Sequence, residues 1–198
     1  MTAHPRLPGR LATSLETHAA AWPVAKSEVG YASDYLTLTV DTIVGPDQQQ
    51  HGRVVVRPRP AVGVVAVDED RRILLVEQYR HAMGRRMLEI PAGLMDVDGE
   101  HPQQTAAREL AEETDLVAGT WHELVRLAPT VGYSTETITL FHATDLSAVP
   151  EAERIEREAE EADMAQWWVD VDTAAEACLD GRIIDAKTVV AVLAVART

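Results

Sequence analysis

The sequence predicts an α/β or α+β sandwich, a β-sheet covered by helices, and three observations carry that prediction. Strand-like and helix-like stretches interleave along the chain beyond residue 60. Ala61-Val62-Gly63-Val64-Val65-Ala66-Val67 is a near-continuous apolar run, as expected of a strand buried on both faces. An amphipathic stretch opening at Pro102 and two further helical stretches near the end supply covering layers.

Taken in order, residues 1 to about 27 are Pro-, Ala- and Thr-rich with weak periodicity and read as an irregular lead. Tyr35 to Val44 alternates and is rich in β-formers; Gly45-Pro46-Asp47 signals a turn, and Gly52 to Arg57 reads as a returning strand. Two or three strands without a helix must pack on another domain or subunit. Pro58-Arg59-Pro60 marks a boundary, which divides the chain into 1–58 (arm and β-strands) and a main domain over 59–198. Asp68 to Arg71 is a hairpin turn, Arg72 to Arg80 a strand, and Met87 to Ile90 a shorter one. Further strands are expected near 121–128, 137–145 and at Gln166-Trp167-Trp168-Val169, with the two tryptophans in the core, and helices near 172–180 and 185–196. Gly181 ends the first of these helices and Asp185 caps the second.

Glu89–Leu116 organises the rest. It sets Glu100, Arg108, Glu109, Glu112 and Glu113 at fixed spacing downstream of Pro91-Ala92-Gly93. With ~3.6 residues per helical turn, Glu109 and Glu113 share one azimuth and Glu112 lies beside them. A solvated acidic face is the ordinary reading of a Glu-rich helix. Here a first-turn proline at Pro102 and an apolar face of Ala106, Ala107, Leu110 and Leu116 give the helix a start and a core to pack on. Like charges at i,i+4 then cost stability unless a cation shares them. Oxygen-only ligands point to a hard divalent ion, Mg²⁺ or Mn²⁺. Arg108 is placed to orient a neighbouring carboxylate through paired N–H groups.

This run resembles the signature of the Nudix hydrolases through Gly93, Glu100, Arg108, Glu109, Leu110, Glu112, Glu113 and Leu116, with Glu100 and Arg108 at the required spacing. It departs twice. Six residues rather than five separate Gly93 from Glu100, and Asp115 stands where the family has glycine. That glycine is expected to end the helix in the left-handed conformation, which Asp accepts better than most residues. The resemblance implies the family's α/β/α sandwich with a mixed sheet. It also implies metal ligation by Glu109, Glu112, Glu113 and the Ala92 carbonyl, with Glu100 and Gly93 supporting the ligands.

Further segments are similar to the ADP-ribose pyrophosphatase branch, closest to its actinobacterial members. They are Glu77-Gln78-Tyr79-Arg80-His81 followed by Leu88-Glu89-Ile90-Pro91-Ala92-Gly93, then Gly132-Tyr133-Ser134-Thr135-Glu136, and Gly181 to Thr188. This likeness implies Mg²⁺-dependent hydrolysis of ADP-ribose to AMP and ribose 5-phosphate, with Mn²⁺ as the alternative ion and two or three ions per site. Glu161 is the implied general base, with Glu160 beside it, and Glu112 and Arg108 complete the catalytic set. Substrate contacts fall to Arg80 and, across a homodimer whose N-terminal β extension is swapped, to Arg53, Arg57 and Glu136. Two alternatives stand: a Nudix hydrolase of another nucleoside diphosphate sugar or dinucleoside polyphosphate, and a non-catalytic nucleotide-sensing module.

The formal net charge of −14 over 198 residues argues against non-specific binding to nucleic acid or an anionic membrane. The single cysteine, Cys178, suits a reducing compartment, and no membrane span or signal-peptide core is apparent, so a cytoplasmic home is expected. The seven histidines show no metal-ligand spacing.

Overall fold

The computed structural model of the chain describes residues 2–3, 5–15, 17–157 and 162–197. A two-residue pair, β1 (Thr2–Ala3) with β2 (Arg10–Leu11), precedes an antiparallel meander of β3 (Val24–Ala32), β4 (Leu36–Val44) and β5 (Gln50–Pro58). β3 corrects the expectation of an irregular lead to about residue 27. Its sequence, VAKSEVGYA, is exposed along its whole length, so no core imposes an apolar alternation on it.

The remaining strands form two sheets. The first, ordered β10-β11-β6-β9, joins β6 (Ala61–Ala66), β9 (Ala92–Leu94), β10 (Leu116–Leu127) and β11 (Ile138–Ala148). It is mixed, because β11 runs parallel to β6 while the other pairs are antiparallel. The second is antiparallel, with β7 (Arg72–Arg80) between β12 (Ala165–Asp170) and β8 (Arg85–Glu89). β6 and β7 touch at one antiparallel bridge, Val67 to Ile73, beside the tight turn in which Arg71 takes φ 59°. Beyond that bridge the two strands belong to different sheets. Their far ends, Ala61 and Arg80, both line one cleft.

Alternation along the strands divides the core into two layers, because successive side chains point to opposite faces. Val62, Val64 and Ala66 of β6, Leu74 of β7, and Phe141 and Ala143 of β11 pack with Ala106 and Leu110 of α1 (Pro102–Thr114). The intervening Ala61, Val65, Ile73, Leu75, Ile138 and Leu140 pack against α2 (Val171–Leu179) and α3 (Ala186–Val195). Every residue of β6 is buried, as its unbroken apolar run requires. The result is an α/β/α sandwich with a mixed sheet.

Helix ends follow their local chemistry. Pro102 occupies the first turn of α1, and His101 and Gln104 form a reciprocal cap. Asp170 and Asp185 cap α2 and α3 by accepting N–H groups of the first turn. Trp167 and Trp168 are half-exposed, against the expectation of core positions, because β12 is an edge strand with little packed over it. The Trp167 indole donates to Glu77 at 3.0 Å. Among the described residues no helix is long and apolar enough to cross a membrane.

One buried hydroxyl joins the α3 layer to the strand ends. Thr188 Oγ1 accepts the Ile90 N–H at 2.9 Å and donates to Asp185 at 2.6 Å, with no exposure to solvent. Thr188→Val keeps the shape but strands that N–H. It is expected to lower unfolding free energy by about 1–3 kcal/mol, read from urea midpoints at unchanged slope. An unshifted midpoint would show that the link is dispensable.

Candidate active site

The cleft between the two sheets holds a cavity of about 340 Å³. Ala61 and Ile138 line it from the paired ends of β6 and β11, Ala92 to Leu94 from β9, and Arg80 from the end of β7. Pro129 and Glu136 close one side, and Asp185, Ala186 and Lys187 the other.

Helix α1 stands directly behind β9. A Cβ added at Gly93 would lie 2.1 Å from the carboxyl carbon of Glu109, so only glycine lets the strand pass this close to that carboxylate. The β6–β9 ladder bonds through Val64 and Pro91, and antiparallel alternation turns the polar groups of Ala92 away from β6. The Ala92 N–H accordingly donates to Glu113 at 3.0 Å. Glu109 and Glu113 are both buried, on one face of α1.

Arg108 binds this stripe together. Its guanidinium lies 2.8 Å from Glu109, 3.1 Å from Glu112, 3.0 Å from Asp96 and 3.4 Å from Glu100. Glu100 also accepts from the buried Thr105 hydroxyl at 2.9 Å, which fixes it as a support for Arg108. Burial pushes the Glu109 carboxyl up to about 7; the Arg108 charge opposes that rise and Glu112 reinforces it. Among the described residues no three His, Cys, Asp or Glu side chains converge as a preformed metal cage. In this arrangement the guanidinium is the cation that the carboxylates share. The donor set nonetheless suits a hard divalent ion, being carboxylate and carbonyl oxygen only.

A second ionic cluster reaches the cavity through Arg80, Asp185 and Lys187, and its pairing is not visible as a spacing in the sequence. Glu89, 2% exposed, receives paired bonds from Arg80 at 2.7 Å each and one from Lys187 at 2.5 Å. Lys187 also reaches Asp185 at 3.1 Å. Burial, the largest influence, drives the Glu89 carboxyl up, but the Arg80 and Lys187 contacts together outweigh it and hold it below its ordinary value. Glu89 and Lys187 are separated by 98 residues, and only the tertiary fold brings them together.

The other sequence candidates distribute as follows. Arg80 and Glu136 line the cavity, Glu136 within its own chain. The loop carrying Glu136 is fixed to β5 by bonds between Val56 and both Tyr133 and Thr135. On β5, Arg57 is engaged by Thr39 and by Asp41 at 3.0 Å, whereas Arg53 is exposed and donates to the Gly52 carbonyl. Neither lines the cavity of its own chain. Glu160 and Glu161 lie outside the described residues.

A family model of the NUDIX domain matches residues 57–191. The chain is 46% identical over 143 residues to an ADP-ribose pyrophosphatase of Mycobacterium tuberculosis, a match spanning 72% of this chain and 68% of that protein. It is 35% identical over 167 residues to the methanol dehydrogenase activator of Bacillus methanolicus, spanning 84% and 88% respectively. A crystal structure of an ADP compounds hydrolase superposes with a TM-score of 0.78 at 21% identity, covering 92% of this chain and 96% of its own. At that identity it speaks to the fold.

Glu89→Gln separates the second cluster from the first. It leaves Lys187 and Arg80 short of a charge and is expected to cost on the order of 2–3 kcal/mol, less than a fully buried pair because Arg80 is 39% exposed. A carboxyl held below its ordinary value stabilises the fold above about pH 4.5 and loses that contribution as pH falls. The stability gap between wild type and variant, followed by denaturant titration at several pH values, therefore closes on acidification. A gap that is constant with pH would contradict this assignment.

Proposed function

The chain belongs to the Nudix hydrolase family, and we propose that it cleaves the diphosphate of ADP-ribose to AMP and ribose 5-phosphate. One observation carries this reading. A single cavity has a carboxylate-bearing helix behind one wall and an arginine–lysine pair on another, which are the two kinds of group that a diphosphate needs. The name of the relative at 46% identity supplies the substrate class.

In this reading Glu109, Glu112, Glu113 and the Ala92 carbonyl hold divalent cations, Mg²⁺ with Mn²⁺ as alternative, at two or three per site. Such ions supply charge neutralisation of the diphosphate and activation of the attacking water. The protein's own groups do the rest. Arg108, steadied by Glu100 and Asp96, keeps the Glu109 and Glu112 carboxylates in register. Arg80 and Lys187 meet phosphate oxygens with N–H donors, and Glu136 accepts ribose hydroxyls. Glu161 serves as general base.

We assign 59–198 to the hydrolase domain and 1–58 to dimerisation. Tyr31, Val40 and Val54 are exposed on one face of the β3–β5 sheet and Val24 and Val29 on the other, apolar area of a kind that soluble monomers rarely leave bare. A homodimer with this sheet at its interface would cover it and carry Arg53 and Arg57 towards the partner's cavity. A cytoplasmic, reducing location accords with Cys178 as a free thiol. The presence of all three carboxylates, Glu109 and Glu113 buried and Glu112 half-buried beside them, argues against a non-catalytic sensing module.

Purified protein with Mg²⁺, assayed against ADP-ribose, other nucleoside diphosphate sugars and dinucleoside polyphosphates, is expected to give the highest kcat/KM on ADP-ribose. Glu113→Gln and EDTA should each abolish turnover. Preference for another substrate replaces the substrate assignment, and full turnover by the variant refutes the catalytic role of the stripe. Sedimentation should report a dimer that Val29→Glu shifts toward monomer; a monomeric wild type refutes the interface.

A further inference from the structure

Helix α1 does not stop where its carboxylates stop. After Glu112-Glu113-Thr114 the chain turns at Asp115, whose φ of 57° and ψ of 31° are left-handed, and the Asp115 N–H closes back on Ala111 at 3.0 Å. Glycine makes this turn without steric cost and offers nothing more. Aspartate here offers a carboxylate, and the structure uses it. Arg157 donates from Nη2 to Asp115 Oδ2 at 2.6 Å and from Nε to the Glu112 carbonyl at 2.9 Å.

One guanidinium therefore spans the cap residue and one of the carbonyls that a helix end leaves without an internal partner. Its positive charge sits at the negative end of the helix dipole. Arg157 and Asp115 are each 22% exposed, sheltered enough for the contact to define geometry rather than to fluctuate as a surface pair. Two more bonds pin the same end: Gln166 donates to the Glu113 carbonyl at 3.3 Å, and the Val149 N–H donates to the Asp115 carbonyl at 2.8 Å. Glu112 is held twice, its carboxylate by Arg108 Nη1 at 3.1 Å and its carbonyl by Arg157.

We infer that Asp115 and Arg157 form a positioning pair for the cation site, fixing the last turn of α1 and with it the placement of Glu112 and Glu113. The inference rests on the proposed role of those carboxylates as cation ligands. The pair replaces a flexible glycine end with an anchored one and touches neither substrate nor ion itself.

The test is Mn²⁺ binding to the full chain, read from the electron paramagnetic resonance signal of free Mn²⁺, in wild type, Arg157→Ala, Arg157→Lys, Asp115→Gly and Glu113→Gln. Arg157→Ala is expected to weaken Mn²⁺ binding by about tenfold, the scale typical of groups that orient metal ligands. Arg157→Lys keeps the charge but not the fork, so it recovers only part of that loss. Asp115→Gly keeps the turn and the carbonyl contact and should fall between wild type and Arg157→Ala. KM for ADP-ribose at saturating Mg²⁺ should stay within about twofold of wild type, because the pair acts through the ligands and not on the substrate. Should Arg157→Ala fail to fold, Arg157→Lys and Asp115→Gly decide. Wild-type Mn²⁺ affinity in the Arg157 and Asp115 variants, with affinity lost in Glu113→Gln, overturns the positioning role alone. Wild-type affinity in Glu113→Gln overturns the ligand assignment, and this inference falls with it.

Discussion

Glu109, Glu112 and Glu113 sit within about one and a half turns of one helix, two of them buried, and mutual repulsion would fray that helix if nothing answered it. Arg108 answers from within the same helix, reaching Glu109 and Glu112 directly and Glu100 and Asp96 from the loop ahead. The crowding also dictates what may stand opposite. Gly93 is the residue that lets β9 lie against the Glu109 carboxylate, and the Ala92 N–H is turned to meet Glu113 because the β6–β9 ladder is satisfied on its other side. Strand, glycine and helix are thus one device, and moving any of them exposes or strands a charge.

The sandwich makes that device rigid. β6 is buried on both faces, so its position is fixed by α1 on one side and by α2 and α3 on the other. β9 inherits that fixity through its ladder to β6. The parallel pairing of β11 with β6 brings Ala61 and Ile138 to the same edge of the cleft. The opposing layer then contributes chemistry through α3, whose first turn carries Lys187 to Glu89 while Thr188 ties the helix to Ile90.

What the sequence disclosed followed the range of each interaction. The carboxylate stripe, the Pro102 start, the Asp185 cap and the doubly buried β6 are local patterns, and a periodicity or a spacing suffices to find them. Glu89 opens the stretch that the sequence marks, but its pairing with Arg80 and Lys187 depends on β7 and α3 meeting in the fold, and no spacing announces it. Asp115 was visible as a departure from glycine, but its partner lies forty-two residues onward in an acidic stretch where neither Arg154 nor Arg157 stands out. β3 was missed for the opposite reason. With no core beneath it, it has no alternation to read. The tryptophans of β12 misled because aromatic residues in a strand are ordinarily buried, and edge position is a property of topology, not of sequence.

The charges around the cavity constrain how an anion enters it. Arg80 and Lys187 look like a reception for phosphate, yet both are paired with Glu89, and Lys187 also with Asp185, so that cluster is formally neutral. Across from it, Arg108 is outnumbered by Asp96, Glu100, Glu109, Glu112 and Glu113, and the chain as a whole carries −14. The protein alone therefore presents a diphosphate with directed N–H donors but with a repulsive field. Divalent cations on the carboxylate stripe would reverse the sign of that field just where the donors already point. Burial, which raises the Glu109 carboxyl, works in the same direction, since it makes the charge of that one group costly unless a cation stands beside it. If the carboxylates hold cations as proposed, substrate affinity would be conditional on them, and the arginine–lysine wall would orient the ligand that they admit.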